Sequence, residues 1–322
     1  MSDNENTTNN MIATQSTSCS SPTAEKIGKI FAYCLIFIVS LTGNTIIGII
    51  VYKTHTMRKP INFFIVNMAI SDIVLPIFKI PQLIQVLYID FWPIDGPLGE
   101  ALCKLVYFLK DVSVLVSIQS LVLIAVDRFG AVVFPLRSPL IRSKMCPFFI
   151  IASWIVAMAL NSPKLFVLRL VEYPDKLVCK QCWREAFGDS SSHKNYILSF
   201  KVVSRFFPLV LIATLYIIIY LKLKSQEIPG EQLANAGQRR RQRERNVLKM
   251  AIAIVLGFAI CWLPRAIWLI LLIFTDTITW PDCSFRNSFY IVQFMALVSC
   301  AINPCICFIF SRNYRKELKA LL

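Results

Sequence analysis

Charge is scarce in this chain. Asp, Glu, Lys and Arg make up 16% of its 322 residues, and the apolar share is 56%. A soluble domain carries about 25% charged residues. That balance excludes a water-facing globule, a disordered chain and a collagen-like one. Histidine is almost missing, with only His55 and His193, far apart and both in polar segments. There is no HExxH, no GxSxG and no phosphate-binding glycine loop, so no acid, base and nucleophile converge and an enzyme is not expected. Strand-length alternating segments of the outer-membrane barrel type are absent too. No repeat relates the two halves, which removes the usual pattern of a transporter. The polar Ser/Thr/Asn leader lacks a basic start and a small-residue cleavage site. It does not read as a cleavable signal peptide, and the first helix is expected to serve as its own insertion signal.

What the chain has is long apolar blocks: 29–52, 61–88, 98–134, 146–168, 195–223, 247–274 and 289–310. A bilayer takes about 20 consecutive apolar residues in a helix, and each block is long enough. The expected fold is an all-α integral membrane protein, a seven-transmembrane helix bundle with a short amphipathic C-terminal helix. Three parts follow: a tail over residues 1–28, the transmembrane domain over 29–310 and an amphipathic helix over 311–322. In that last segment Tyr314, Leu318 and Leu321 are apolar while Arg312, Arg315, Lys316 and Lys319 are basic, the pattern of a helix lying on a lipid leaflet. No cysteine follows Cys307, so a lipid anchor there is not expected.

The formal charge of +15, from 34 Lys+Arg against 19 Asp+Glu, at first resembles a nucleic-acid binder's. Sorting it by side removes that reading. The segments around Lys53 to Lys59, Asp127 to Lys144, Lys222 to Lys249 and Arg312 to Lys319 carry +14; the alternate segments carry −5. Excess Lys and Arg mark the cytoplasmic side. The amino terminus is therefore expected outside, with membrane lipid as the partner of the basic face. The sequon Asn6-Thr7-Thr8 falls outside, where Asn6 is open to glycosylation.

Polar residues within the blocks are costly and mark function. Asn44 lies in the first block and Asp72 in the second. Asp127-Arg128-Phe129 ends the third, and Trp154 lies in the fourth. Pro208 and Tyr216 occupy the fifth, Cys261-Trp262-Leu263-Pro264 the sixth and Asn303-Pro304-Cys305-Ile306-Cys307 the seventh. In this order they resemble the rhodopsin-like (class A) G-protein-coupled receptors, over residues 29–322. Phe91-Trp92-Pro93, the tract from Gly99 to Lys104 and the run from Ser113 to Ser117 resemble the neuropeptide receptors within that family.

The resemblance implies a plasma-membrane receptor that binds an extracellular ligand, a neuropeptide first of all, and activates heterotrimeric G proteins, with arrestin as a further partner. Its switch residues are Asp127, Arg128, Tyr216, Glu244, Trp262, Pro264, Asn303 and Pro304. An inhibitory Arg128–Glu244 bridge is implied; the other reading makes Glu244 one charge in the basic run from Arg239 to Arg245. Phe129 stands where the family has Tyr. So does Cys307, which cannot reach toward Tyr216 through water as that Tyr does. An allosteric sodium ion is implied at Asp72, Ser117, Ser299 and Asn303; alternatively Asp72 bonds Asn44 and Asn303 with no ion. No other metal or cofactor is expected. A disulfide is implied between Cys103 and the loop 169–194, at Cys179 by the Cys-x-x-x-Trp pattern ending in Trp183, with Cys182 as competitor. Cys19 or Cys182 is then left to pair with Cys283.

The ligand class is less settled. The family's amine receptors have Asp where this chain has Lys110, and opsins have the retinal Lys where this chain has Leu297. Lys79, Lys110, Lys164, Lys201, Arg205 and Arg265 all lie in the outer halves of the blocks, with Asp111 as an available partner. They either snorkel and pair internally or form a pocket for a carboxylate or other anionic group. The expected ligand contacts are Gln82, Lys110, Asp111, Lys201, Arg205, Trp262, Arg265 and Gln293. A small acidic or lipid ligand is the alternative to a peptide, and a constitutively active or non-signalling orphan the alternative to both.

Overall fold

The computed structural model describes residues 23–89, 91–134, 139–174, 176–188, 196, 203–225, 235–274 and 283–321. Side chains at 235–241, 243–244, 272–274 and 283–286 lie outside that description. The long helices are α1 (Thr23–Lys53), α2 (Pro60–Tyr88), α3 (Gly96–Val133) and α4 (Cys146–Asn161), which α5 (Pro163–Val167) continues. After a hairpin of β1 (Leu168–Tyr173) and β2 (Lys176–Gln181) and a short α6 (Trp183–Phe187) come α7 (Val203–Ser225), α8 (Asn235–Phe274), α9 (Cys283–Phe310) and α10 (Arg312–Leu321). Among the described residues, seven helical segments are long and apolar enough to cross a membrane, one for each apolar block.

Local chemistry explains the boundaries. Pro60 opens α2, where its missing N–H costs nothing. Asp95 caps α3 by accepting from the Gly96 amide at 2.5 Å, and Gly96 takes φ +69°, a conformation that suits glycine. Pro76, Pro81, Pro208, Pro264 and Pro304 sit inside helices. In a bundle such freed carbonyls are satisfied by neighbouring groups.

The helices reach beyond the apolar blocks. α1 begins at Thr23, α8 at Asn235, ahead of the basic run, and α9 at Cys283. Apolar composition marks the lipid-crossing part of a helix, whereas backbone hydrogen bonds carry the helix on into polar sequence. The fourth block differs the other way: its last residue, Leu168, starts a strand. Nothing in the apolar reading pointed to the hairpin.

In lipid, burial of apolar surface does not pull helices together, so close packing and buried hydrogen bonds must. α2 lies along α3, α9 along α8, and α1 against α2 and α9. One core runs through the bundle from Tyr33 and Ile47 past Phe64, Met68, Ile118 and Leu121 to Ile254, Phe258 and Cys307. Phe31, Phe148, Ile155, Val210, Ile260 and Ile291 face outward as the lipid-side surface. A Cβ on Gly43 would lie 2.8 Å from the Pro304 ring, so only glycine permits this approach of α1 to α9. Polar pairs tie the rest. Asn67 donates to Ser120 Oγ (2.9 Å) and Ser153 Oγ (3.2 Å), and Trp154 Nε1 donates to Asn67 Oδ1 (2.9 Å), linking α2, α3 and α4.

The two ends differ. At one, the antiparallel hairpin is bonded to α3 by the Cys103–Cys179 disulfide, with Leu170 paired opposite Cys179. The Trp92 amide adds a bond to the Leu177 carbonyl at 2.6 Å. At the other, α10 folds back beneath the bundle. Tyr314 is buried, its hydroxyl 3.3 Å from Asn62 Oδ1, and Thr54 donates to Glu317 at 3.0 Å.

Candidate ligand and switch site

A column of buried polar side chains runs down the bundle between these ends. Its upper layer, near the hairpin, is cationic. Lys79 on α2 and Lys110 on α3 are both buried, as is Lys164 on α5. Lys164 pairs with Asp111, and Arg205 of α7 reaches the same carboxylate at 3.8 Å. Lys79 Nζ donates to Gln82 Oε1 at 3.1 Å. Lys110 lies 5.0 Å from the Tyr107 ring centroid. Trp262 has a guanidinium near its indole from each of two helices: Arg205 at 5.5 Å and Arg265 at 5.8 Å. Gln293 of α9 is buried in the same half. Of the expected ligand contacts, Lys201 lies outside the described residues. Asp111 is already engaged by Lys164 and Arg205.

The middle layer is anionic and hydrogen-bonded. Trp262 Nε1 donates to Ser299 Oγ at 3.1 Å, stepping from α8 to α9. Asp72 is buried and accepts from Asn303 Nδ2 at 2.7 Å and Ser117 Oγ at 3.2 Å. Ser71 and Ser117 hydroxyls lie 2.7 Å apart. Asn44 does not bond Asp72; it donates to the Cys300 carbonyl at 2.9 Å and the Ser40 carbonyl at 2.8 Å. The no-ion alternative is therefore met only at Asn303. Asp72, Ser117, Ser299 and Asn303 supply one carboxylate and neutral oxygens, a donor set that fits a hard monovalent cation.

The lower layer holds the switch residues. Arg128 pairs with its neighbour Asp127, Nε to Oδ2 at 3.1 Å. Glu244 lies in α8, and its side chain falls outside the description, as does any bridge to Arg128. The Tyr216 hydroxyl is buried and has no hydrogen-bond partner among the described residues. Cys307 is fully buried nearer α10 and offers no hydroxyl in its place. A cleft of about 440 Å³ opens at this end between α8 and the α9–α10 junction, edged by Asn246, Met250, Phe310 and Arg312. Pro264 and Pro304 interrupt α8 and α9 on either side of the polar column.

The Cys103–Cys179 bond is present as expected, and Cys182 is a free thiol. Cys19, the side chain of Cys283 and Asn6 lie outside the description. The sequence alone did not assign Lys164 to Asp111, nor place Arg205 and Arg265 about one indole. Each of those contacts joins different helices, and spacing along one helix does not give the register between two.

Comparison with known proteins agrees with this geometry. The chain matches the model of the 7 transmembrane receptor (rhodopsin family) over residues 43–306. It belongs to that family. It is therefore a multi-pass membrane protein of a receptor family. Among rhodopsin-family relatives, it is 32% identical over 306 residues to the RYamide receptor of Drosophila melanogaster, covering 91% of this chain and 63% of that receptor. It is 30% identical over 309 residues to a QRFP-like peptide receptor of Branchiostoma floridae, covering 94% and 79%. Identity to the neuropeptide FF receptor 1 of Rattus norvegicus is 30% over 321 residues, covering 94% and 71%. The chain thus spans less than two thirds of the fly relative's length.

Proposed function

We propose that this rhodopsin-family chain is a plasma-membrane receptor, amino terminus outside, that binds an extracellular peptide and activates heterotrimeric G proteins. The observation that carries this reading is the set of buried polar contacts spaced along the bundle: Arg205 and Arg265 beside Trp262, Trp262 on Ser299, Asn303 on Asp72, and Arg128 on Asp127. It gives a ligand at the hairpin end a physical route to the cleft beneath α8. The names of the relatives, all peptide receptors, support the peptide class.

In the mechanism we propose, ligand contacts beside Arg205 and Arg265 shift the Trp262 indole that both flank. Trp262 then loosens from Ser299, and α8 swings outward about Pro264. Arg128 leaves its resting partners, Asp127 and, in this reading, Glu244. The widened cleft admits a G-protein helix or arrestin, and the basic loops meet anionic lipid. Were a sodium ion bound, Asp72, with Ser117, Asn303 and Ser299 as neutral donors, would hold it, and it would favour the resting arrangement by tying α2 and α3 to α9. A ligand need shift such an equilibrium by only a few kcal/mol. Cys307 removes one tyrosine hydroxyl from the active-state contacts, so Tyr216 contributes less to this switch than its burial implies.

The test is nucleotide exchange on purified G protein, driven by the full chain in nanodiscs and challenged with a peptide library. Peptide-dependent exchange is expected. High basal exchange that no peptide or acid changes would remove the ligand-gated reading. Lys110→Glu that abolishes an acid's response while sparing a peptide's would favour the acidic-ligand alternative.

A further inference from the structure

α1 and α9 leave a cleft between them at the hairpin end. The two helices run in the same direction: α9 leads into α10, and Thr54, just past the end of α1, bonds Glu317 of α10. Both therefore begin at the hairpin end. The cleft, about 390 Å³, lies along their first turns. Ile27, Phe31 and Ile291 on these turns are 58%, 71% and 60% exposed, so the cleft opens toward lipid.

Its chemistry is graded along its length. Glu25 and Asn287 stand at the upper rim, one on each helix. Ala32, Tyr33 and Phe294 line it about 10–12 Å deeper, two helical turns on. The charge at the rim has a direction. Lys29 Nζ pairs with Glu25 Oε1 at 2.5 Å and lies 4.3 Å from the Tyr290 ring centroid. That ammonium is enclosed, whereas the Glu25 side chain is 38% exposed. The rim thus presents a carboxylate and the exposed Asn287 amide, with the balancing cation beneath them. Gly28 keeps the wall open: a Cβ there would meet nothing within 4 Å.

A cleft that is polar at the rim and apolar below fits an amphiphile standing upright in the leaflet. A carboxylate at the rim attracts a cationic group and repels an anionic one. We propose that the cleft binds one zwitterionic phospholipid of the leaflet around the hairpin end. Its ammonium group meets Glu25, its phosphate accepts from the Asn287 amide, and an acyl chain lies along Ala32, Ile291 and Phe294. An anionic phospholipid brings net charge of the wrong sign to Glu25, and a sterol brings a single hydroxyl with no cation to answer it. This inference needs the bundle but not the receptor reading.

The experiment holds the full chain in detergent micelles at fixed ionic strength and counts retained lipid by native mass spectrometry. The probes are dioleoylphosphatidylcholine, dioleoylphosphatidylglycerol and cholesterol. The phosphatidylcholine is expected to saturate at one copy, with half-saturation about 10-fold below that of either other lipid. Gly28→Leu fills the cleft from α1 and should raise that half-saturation about 10-fold. Gly48→Leu, where a Cβ also meets nothing within 4 Å on the same helix, should leave it unchanged. Glu25→Gln keeps the shape and leaves the Lys29 cation unbalanced, so phosphatidylglycerol should then bind ahead of phosphatidylcholine.

Three lipids that bind alike, or Gly28→Leu that binds like the parent, overturns the proposal. Cholesterol alone saturating at one copy makes the cleft a sterol site and overturns it too. If no probe saturates, the cleft belongs to another occupant, such as the chain's own leader, and the proposal falls. Should Gly28→Leu fail to fold, Ile291→Trp on the lipid-facing wall carries the same expectation. Lipid counting involves no G protein, so its failure leaves the receptor reading standing, and failure of nucleotide exchange leaves this site standing.

Discussion

Two layers of one bundle handle buried charge in opposite ways. Asp72 and Lys79 lie on the same helix, seven residues and about 10 Å apart. Around Asp72 the protein supplies what a lone charge needs: an amide from Asn303 and a hydroxyl from Ser117. For Lys79 the described hydrogen-bond acceptor is one amide oxygen, Gln82 Oε1. The middle layer is hydrogen-bonded within the chain. In the upper layer one carboxylate, Asp111, is shared by Lys164 and Arg205. Residue type alone makes both look like buried polar clusters; the partners that each charge meets are what separate them.

The largest effect is expected where the upper layer is already balanced. Asp111→Asn leaves Lys164, 2% exposed, without its carboxylate. Breaking a buried pair on one side costs about 3–5 kcal/mol. Detergent-solubilised protein should show a sharply lowered thermal midpoint and little folded receptor at the surface. Asp111→Asn combined with Lys164→Met should recover most of the loss, because the uncompensated charge goes too. A single variant as stable as the parent would show that this layer tolerates charge without pairing, and the contrast with Asp72 would collapse.

Next comes the cover over that layer. Cys103→Ser frees the hairpin from α3. Loss of a disulfide of this kind costs about 2–4 kcal/mol. The expected readout is a lowered midpoint that a reducing agent no longer changes, together with weaker ligand response. The Asp72 contacts should be spared, being made by α2, α3 and α9 rather than by the hairpin.

A smaller effect belongs to the middle layer. Replacing sodium by a bulky organic cation should lower the midpoint of the parent chain. The loss is about 1.4 kcal/mol when sodium had stood tenfold above its dissociation constant. Asp72→Asn should abolish the difference. A parent chain indifferent to sodium would mean that Asn303 and Ser117 alone complete the layer.

Much of this contrast was legible before any coordinates. The seven blocks, the order of Asn44, Asp72, Arg128, Trp262 and Pro304, and the unusual Lys110 were visible because membrane helices must be apolar and each polar exception stands out. The Cys103–Cys179 bond was legible from the family resemblance. What escaped was relational. Lys164 meets Asp111 only once α5 has a register against α3, and Arg205 and Arg265 flank Trp262 only once α7 and α8 have one. The hairpin escaped for another reason. Its strands are short and carry charged residues on both faces, so neither an apolar run nor a clean alternation announces them.

The smallest effect tests the far end, where the bundle again completes itself. Tyr314→Phe removes the bond to Asn62 but leaves the ring against Phe308 and the Thr54–Glu317 bond intact. One neutral hydrogen bond is worth about 0.5–1.5 kcal/mol, so α10 should loosen without detaching. The pH dependence gives the same point a sign. Burial first, then the nearby Cys307, holds the Tyr314 phenol well above its ordinary value. A released tail would titrate near the ordinary value of about 10. Docking is therefore fully favoured below about pH 10, and it weakens as the pH rises further because the released tail gives up its proton first. A fluorophore at residue 319 should report release above that pH in the parent chain and no such slope in Tyr314→Phe. A slope that survives the substitution would place the titrating group elsewhere in the tail and leave Tyr314 as packing alone.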